Sequence, residues 1–182
     1  AATAADDAGQ VPLHCAVAAG DTAVVEQLVA AAPAAVNAEN GHLYTPLALG
    51  VLTRRIDLLR LLLTAAPTAA TAHAALVVAI GMSSFDVVEC LLAGAPSAAL
   101  AIEDPDTGET PLHYAASMGC PAIISAIAHA YPAAALLFEF DGWTPFQLAQ
   151  SVSAMRVLIP FTPATEVLQH FQHFGMAYYP AF

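Results

Sequence analysis

The sequence predicts an all-α fold, an array of about five stacked helix-turn-helix units joined by short hairpin-like tips. A four-residue motif recurs as Val11-Pro12-Leu13-His14, Thr45-Pro46-Leu47-Ala48, Thr110-Pro111-Leu112-His113 and Thr144-Pro145-Phe146-Gln147. Its prolines keep a constant interval, 34 positions from Pro12 to Pro46 and again from Pro111 to Pro145, with two periods of about 33 between Pro46 and Pro111. Each motif is followed by a second apolar run at helical spacing.

The motif starts a helix for a mechanical reason. Thr at the N-cap accepts backbone N–H bonds, and Pro at the first helical position gives up a donor that has no partner there anyway. Leu then enters the core. Three positions later comes a small residue (Ala16, Gly50, Ala79, Ala115, Ala149), where neighbouring helices must approach closely. The third unit, Ala75-Leu76-Val77-Val78-Ala79, fits by spacing but has lost its Thr cap and its Pro, and Leu91 follows Ala79 as Leu28 follows Ala16. Gly20 and Gly119 suit the turn after the first helix.

Second helices are expected around Val24, Val25, Leu28 and Val29; Leu58, Leu59, Leu61 and Leu62; Val87, Val88, Leu91 and Leu92; and Ile123, Ile124 and Ile127. Pro33, Pro67, Pro96 and Pro132 stop them. Asn40-Gly41, Thr107-Gly108 and Asp141-Gly142 then mark projecting turns.

Period, motif and paired helices together resemble the ankyrin-repeat family over roughly Ala8 to Phe161. The resemblance implies an ankyrin-repeat solenoid over residues 1–160, with units starting near 8, 41, 72, 107 and 141. Residues 161–182 follow as a C-terminal capping helix and an aromatic tail. Arg54 stands where the family usually turns the chain with Gly, and the fifth unit is truncated, its second helix around Ser153 to Ile159 being short. In the last segment Val167, Leu168, Phe171 and Phe174 can cover the open end of the array at helical spacing. Gly175 to Phe182 reads either as part of that cap or as a tail that docks on a partner.

Composition narrows the function. Hydrophobic residues make up 58% and charged residues 10%, against roughly 25% charged in ordinary soluble domains. Part of this is Ala, whose runs (Ala30 to Ala32, Ala98 to Ala99, Ala133 to Ala135) suit closely packed helices. The chain has no Lys; Arg54, Arg55, Arg60 and Arg156 face fifteen acidic residues, a net charge of −11. Nucleic acid and anionic membrane surfaces would be repelled, and a basic partner would be welcome. Cys15, Cys90 and Cys120 are odd in number and lie in apolar helical patterns, so they read as small core residues. Two charge-free stretches, Leu61 to Phe85 and Thr110 to Phe138, have the length of a membrane span, but Pro67, Pro111, Pro121 and Pro132 divide them. No transmembrane segment is expected. Ala1 to Gly9 is small and acidic, unlike a signal peptide; an intracellular setting is favoured, with a removed organelle leader left open.

Tempting chemistry finds structural explanations. His14 and His113 fill the motif place where, as the resemblance implies, an imidazole bridges neighbouring units. His170 and His173 lie one turn apart but are two ligands, and His42, His73 and His129 do not complete a set. The run Glu103, Asp104, Asp106, Glu109 has Gly108 where a calcium loop needs an oxygen ligand, so a solvated tip explains it. Cys15 follows His14 directly, but adjacent helical residues point about 100° apart. No catalytic residue, cofactor or metal site is expected.

Function should therefore lie in what differs between units. In the family, partners are gripped by the concave side, built from tips and first helices. The motif maps Gln10, Tyr44, Glu109 and Trp143 to tips, and Ala18, Ala19, Leu52, Thr53, Gly81, Met82, Ser117, Met118, Ser151 and Val152 to the exposed ends of first helices. Tyr44, Leu52, Met82, Met118, Trp143 and Val152 are large and apolar there, and form the expected partner-binding set. The expected function is a non-enzymatic protein-protein interaction module, an adaptor or scaffold binding an unidentified protein. The alternative is a permanent accessory subunit of a large assembly, which could be membrane-associated. An enzyme ranks third, and no homo-oligomer is expected.

Overall fold

The computed structural model describes residues 4–95, 100 and 103–174, with side chains described as far as His170. Pro96, Ala98 and Ala99, the side chains of Phe171, His173 and Phe174, and the tail from Gly175 to Phe182 lie outside the described residues. The described residues are all-α without strands. They fall into two compact units, Ala1–Ile102 and Glu103–Phe182.

In the first unit, three helix pairs follow one another: α1 (Pro12–Ala19) with α2 (Thr22–Ala31), α3 (Pro46–Thr53) with α4 (Ile56–Thr64), and α5 (Ala69–Gly81) with α6 (Phe85–Gly94). Each pair packs on itself; α1 also packs on α3 and α3 on α5, while α2 packs on α4 and α4 on α6. Two layers result, one of first helices and one of second helices. The second unit repeats this scheme with α7 (Pro111–Met118), α8 (Pro121–Ala130), α9 (Pro145–Leu148) and α10 (Val152–Leu158), then adds α11 (Ala164–Phe174). No described helix is long and apolar enough to cross a membrane.

The motif works as the sequence predicts. Prolines 12, 46, 111 and 145 each open a helix, and the hydroxyls of Thr45 and Thr144 accept from the backbone N–H of Ala48 (3.2 Å) and Gln147 (3.4 Å). The residues that follow Pro, namely Leu13, Leu47, Leu112 and Phe146, are wholly buried, as is Leu76 of the third repeat to within 2%. Each contributes on the order of 2–5 kcal/mol relative to Ala. Ala16, Gly50, Ala79, Ala115 and Ala149 are all buried, and a Cβ on Gly50 would sit 3.0 Å from Leu59 Cδ2. Four positions past the small residue the chain turns left-handed at Gly20, Arg54, Ser83 and Gly119. Arg54 does adopt the turn expected of Gly, and its guanidinium donates to Ser84 Oγ (2.5 Å) at the next repeat's turn.

Several expectations need correction. The third repeat has not lost its cap; the cap has moved upstream. Thr68 Oγ1 accepts from the Thr71 N–H (3.2 Å), and α5 runs back to Ala69. Asn37 Oδ1 stabilises this start by accepting the Thr68 N–H (2.9 Å) and the Thr71 hydroxyl (2.8 Å). The extended helix takes the place of a projecting tip, because helical hydrogen bonds now satisfy the backbone that a tip would otherwise fold on itself. In the fifth repeat the first helix is also cut short: α8 begins eleven residues after Thr110, but α10 begins only eight after Thr144. Cys90 is buried, yet Cys15 is exposed, since it falls off the core-facing stripe of the short α1, and Cys120 is half-buried in the turn that precedes α8. For the same reason Val24, Ala30 and Ala31 are exposed.

Candidate partner-binding surface

The tips share one construction. A residue with a side-chain oxygen closes a turn onto its own backbone, and a glycine usually supplies a positive φ just before the last residue. Asp6, Asn40, Asp104 and Glu139 are the closing residues; their N–H groups donate to the carbonyls of Gln10, Tyr44, Glu109 and Trp143. Their side chains in turn accept backbone N–H groups, as when Glu139 takes those of Asp141 (2.9 Å) and Trp143 (2.8 Å). These bonds hold the Glu139 carboxyl below its ordinary range. Asp104 takes those of Asp106 (2.9 Å) and Thr107 (3.0 Å), so this part of the acidic run is occupied in shaping the turn.

Within each unit the two tips lie against each other. The Gly41 N–H donates to the Ala8 carbonyl (2.8 Å), and the Phe140 N–H to the Thr107 carbonyl (2.9 Å). At Gly108, where φ is +75°, a Cβ would come within 2.5 Å of the Phe140 ring, so glycine is required both for the turn and for the approach.

The histidines lock each tip to the helix before it. His14 Nδ1 accepts the Val11 N–H (3.1 Å), one of the donors that a helix start leaves without a partner. An Nδ1 that accepts carries no proton, so Nε2–H donates, here to the Tyr44 carbonyl (2.9 Å). His113 repeats the arrangement: Nδ1 accepts the Thr110 N–H (3.1 Å), and Nε2–H reaches the carbonyls of Leu137 (3.1 Å) and Trp143 (3.2 Å). Burial pushes His113 below the ordinary imidazole range, against the opposing pull of those carbonyls and of Glu139 and Glu103. Both imidazoles are wholly buried, and the bridging role implied by the resemblance is what they perform. In the fifth repeat Gln147 replaces the histidine; its Oε1 accepts the Thr144 N–H (2.9 Å), while the Thr144 hydroxyl donates to Glu166 of α11.

Family models for ankyrin repeats match residues 8–41 and 99–149. The chain belongs to the ankyrin-repeat family. Ankyrin repeats are protein-protein interaction modules, and these are protein-binding folds in that general sense. None of the curated proteins matches the chain.

The expected binding residues divide between the two units. In the first, Tyr44 lies on a tip and Leu52 near the end of α3, 39% and 43% exposed, while Met82 just past α5 is half-buried. In the second, Met118 ends α7 and Trp143 lies on a tip, 41% and 43% exposed. Val152 is half-buried and opens α10 instead of ending a first helix, because the fifth repeat's first helix stops at Leu148. Sequence reasoning missed four exposed apolar side chains, Leu43, Leu136, Phe138 and Phe140. Leu43 carried a readable signal: it stands at the positive-φ place that Gly9, Gly108 and Gly142 fill in the other tips.

Other residues are placed away from this surface. His170 is buried edge-on against the Phe146 ring (5.3 Å), so α11 seats on the fifth repeat, though Leu168, expected to cover the array's end, is exposed. His129 Nδ1 donates to the Ser125 carbonyl (2.7 Å), with its ring edge-on to Phe161 (5.1 Å). On the second-helix side of the first unit, a groove of about 360 Å³ is lined by Arg60, Leu63, Thr64, Cys90, Ala93 and Gly94. Burial there pushes the Cys90 thiol up, away from the thiolate a nucleophile needs.

Proposed function

We propose that this chain is a non-catalytic adaptor, holding a partner protein through its tips and the ends of its first helices. Tyr44, Leu52 and Met82 serve in the first unit, and Met118, Trp143 and Val152 in the second. The observation that carries this reading is that Tyr44, Leu52, Met118 and Trp143 are large apolar residues left about two-fifths exposed where the repeat does not use them for its core. Aromatic and Met side chains concentrate at interface centres, and truncating one anchor there costs on the order of 2 kcal/mol of binding. The histidines, the first candidates for chemistry, are spent on backbone hydrogen bonds.

The test is affinity purification from the native source with the unaltered chain and with a Met118→Ala/Trp143→Ala variant. Partner capture should fall while helix content by circular dichroism stays the same. Undiminished capture would place the binding surface elsewhere. A second reading, a permanent subunit of a larger assembly, draws on the exposure of Leu43, Phe138, Phe140 and Leu168 at 58–76%. A monodisperse monomer on sedimentation of the chain alone favours the adaptor; aggregation relieved by a co-expressed partner favours the subunit.

A further inference from the structure

The second unit joins two features that call for different chemistry in one ligand. Phe138 and Phe140 are 63% and 66% exposed, with Leu136 and Trp143 beside them in sequence at 51% and 43%. Glu139 between the two phenylalanines is buried, its carboxylate folded back onto the Asp141 and Trp143 N–H groups, while both rings stay largely in water. This segment lies directly on the acidic tip: the Phe140 N–H donates to the Thr107 carbonyl, and the Phe140 ring covers Gly108.

Asp104 and Glu139 are engaged by backbone N–H groups. Glu103, Asp106, Glu109 and Asp141 are paired with no Lys or Arg among the described residues, and the sequence has neither residue anywhere between Leu61 and Met155. Burial, together with repulsion from Glu139 and Asp104, holds the Glu109 carboxyl above its ordinary range, a sign that the local negative field is not neutralised from within.

What covers such a face must bring apolar surface and positive charge together. A second copy would set the same carboxylates against each other across a two-fold axis. Nucleic acid and anionic lipid repeat the charge already present. We propose that this face binds a segment of a partner protein in which Lys or Arg alternates with apolar side chains. The apolar groups and aliphatic stems lie on Phe138, Phe140 and Trp143, with cations meeting Asp106, Glu109 and Asp141 and the aromatic faces. This rests on the interaction reading above and adds the chemistry of the partner.

The chain's single Trp makes the test direct, because Trp143 emission reports on the face itself. The full chain is titrated with a short synthetic peptide of alternating Arg and Leu, and with control peptides of alternating Arg and Ser or Glu and Leu. The Arg-Leu peptide should change Trp143 emission saturably and bind at least about tenfold more tightly than either control. Asp106→Asn/Glu109→Gln/Asp141→Asn should weaken it about tenfold, whereas Glu26→Gln/Glu39→Gln/Glu89→Gln, which removes the same charge from exposed sites of the first unit, should change it less than about twofold. Equal binding of the Arg-Leu and Arg-Ser peptides, equal effects of the two triple variants, or unchanged Trp143 emission would overturn the proposal. So would a dimer of the chain alone that Phe138→Ser/Phe140→Ser dissolves. A native partner captured equally well by the Asp106/Glu109/Asp141 variant overturns this inference and leaves the adaptor reading standing; no partner captured by the unaltered chain overturns both.

Discussion

The passage from second to third repeat and the passage from fourth to fifth solve the same problem with opposite devices. Asn37 and Leu136 each end the short 3-10 helix that starts at Pro33 or Pro132. Asn37 lies one repeat upstream, between α2 and α3, and reaches across to tie down Thr68 and Thr71, so α5 is drawn back to Ala69 and the third repeat begins without a tip of its own. After Leu136 a full tip follows, closed by Glu139 and clamped by His113, and it carries Phe140 and Trp143 outward. Backbone groups are satisfied in both places. Of the two devices only the tip leaves large apolar side chains, Phe140 and Trp143, in water; a repeat that trades its tip for helix gains local regularity and loses that exposed surface.

Breaking the clamp should have the largest effect. His113→Ala leaves the Thr110 N–H and the Leu137 and Trp143 carbonyls without their partner in a buried site, and should cost about 3 kcal/mol in chemical denaturation. His113→Gln should cost less, because Gln147 shows that a glutamine can still accept the N-cap N–H. On the other side of the comparison, Asn37→Leu supplies the residue found at the equivalent place in the second unit. It removes the acceptor for Thr68 and Thr71, and should cost about 2 kcal/mol with a loss of helical signal from the start of α5.

Acid should act on the clamp as well. Unfolded His113 takes up a proton near its ordinary value of about 6.5, while the folded imidazole does so only at lower pH. Between the two values the unfolded chain binds more protons, so stability is full above about pH 6.5 and is lost as pH falls through that window. A denaturation series from pH 8 to 5 should show this slope, and His113→Gln should flatten it. The smallest change is a gain. Leu43→Gly removes a left-handed leucine, and after the entropy cost of glycine should stabilise the first unit by about 0.5 kcal/mol in the same assay.

Much of the repeat was legible because its signals are local. Thr45, Pro46 and Leu47 fulfil cap, first-turn and core roles that depend on neighbours within one helical turn. Arg54 was legible as a departure by its place alone, though not its bond to Ser84, which lies 30 residues away. The cap of the third repeat was not legible from the motif, because Thr68 lies upstream of the motif position. On the candidate surface, the exposure of Tyr44, Leu52, Met118 and Trp143 was legible from register. Phe138 and Phe140 were missed because their residue type suggests burial, whereas the folded tip buries Glu139 on its own backbone and leaves the two rings in water.

By itself the sequence determined the helix pairs, their period and the burial of the motif leucines, since caps, prolines and apolar spacing act over short distances and hardly depend on the rest of the chain. The tertiary structure decided which nitrogen of His14 and His113 carries the proton, where α5 begins, and which apolar side chains stay in water. Those outcomes depend on backbone groups tens of residues away, and no local pattern records which carbonyl or carboxylate will arrive to meet them.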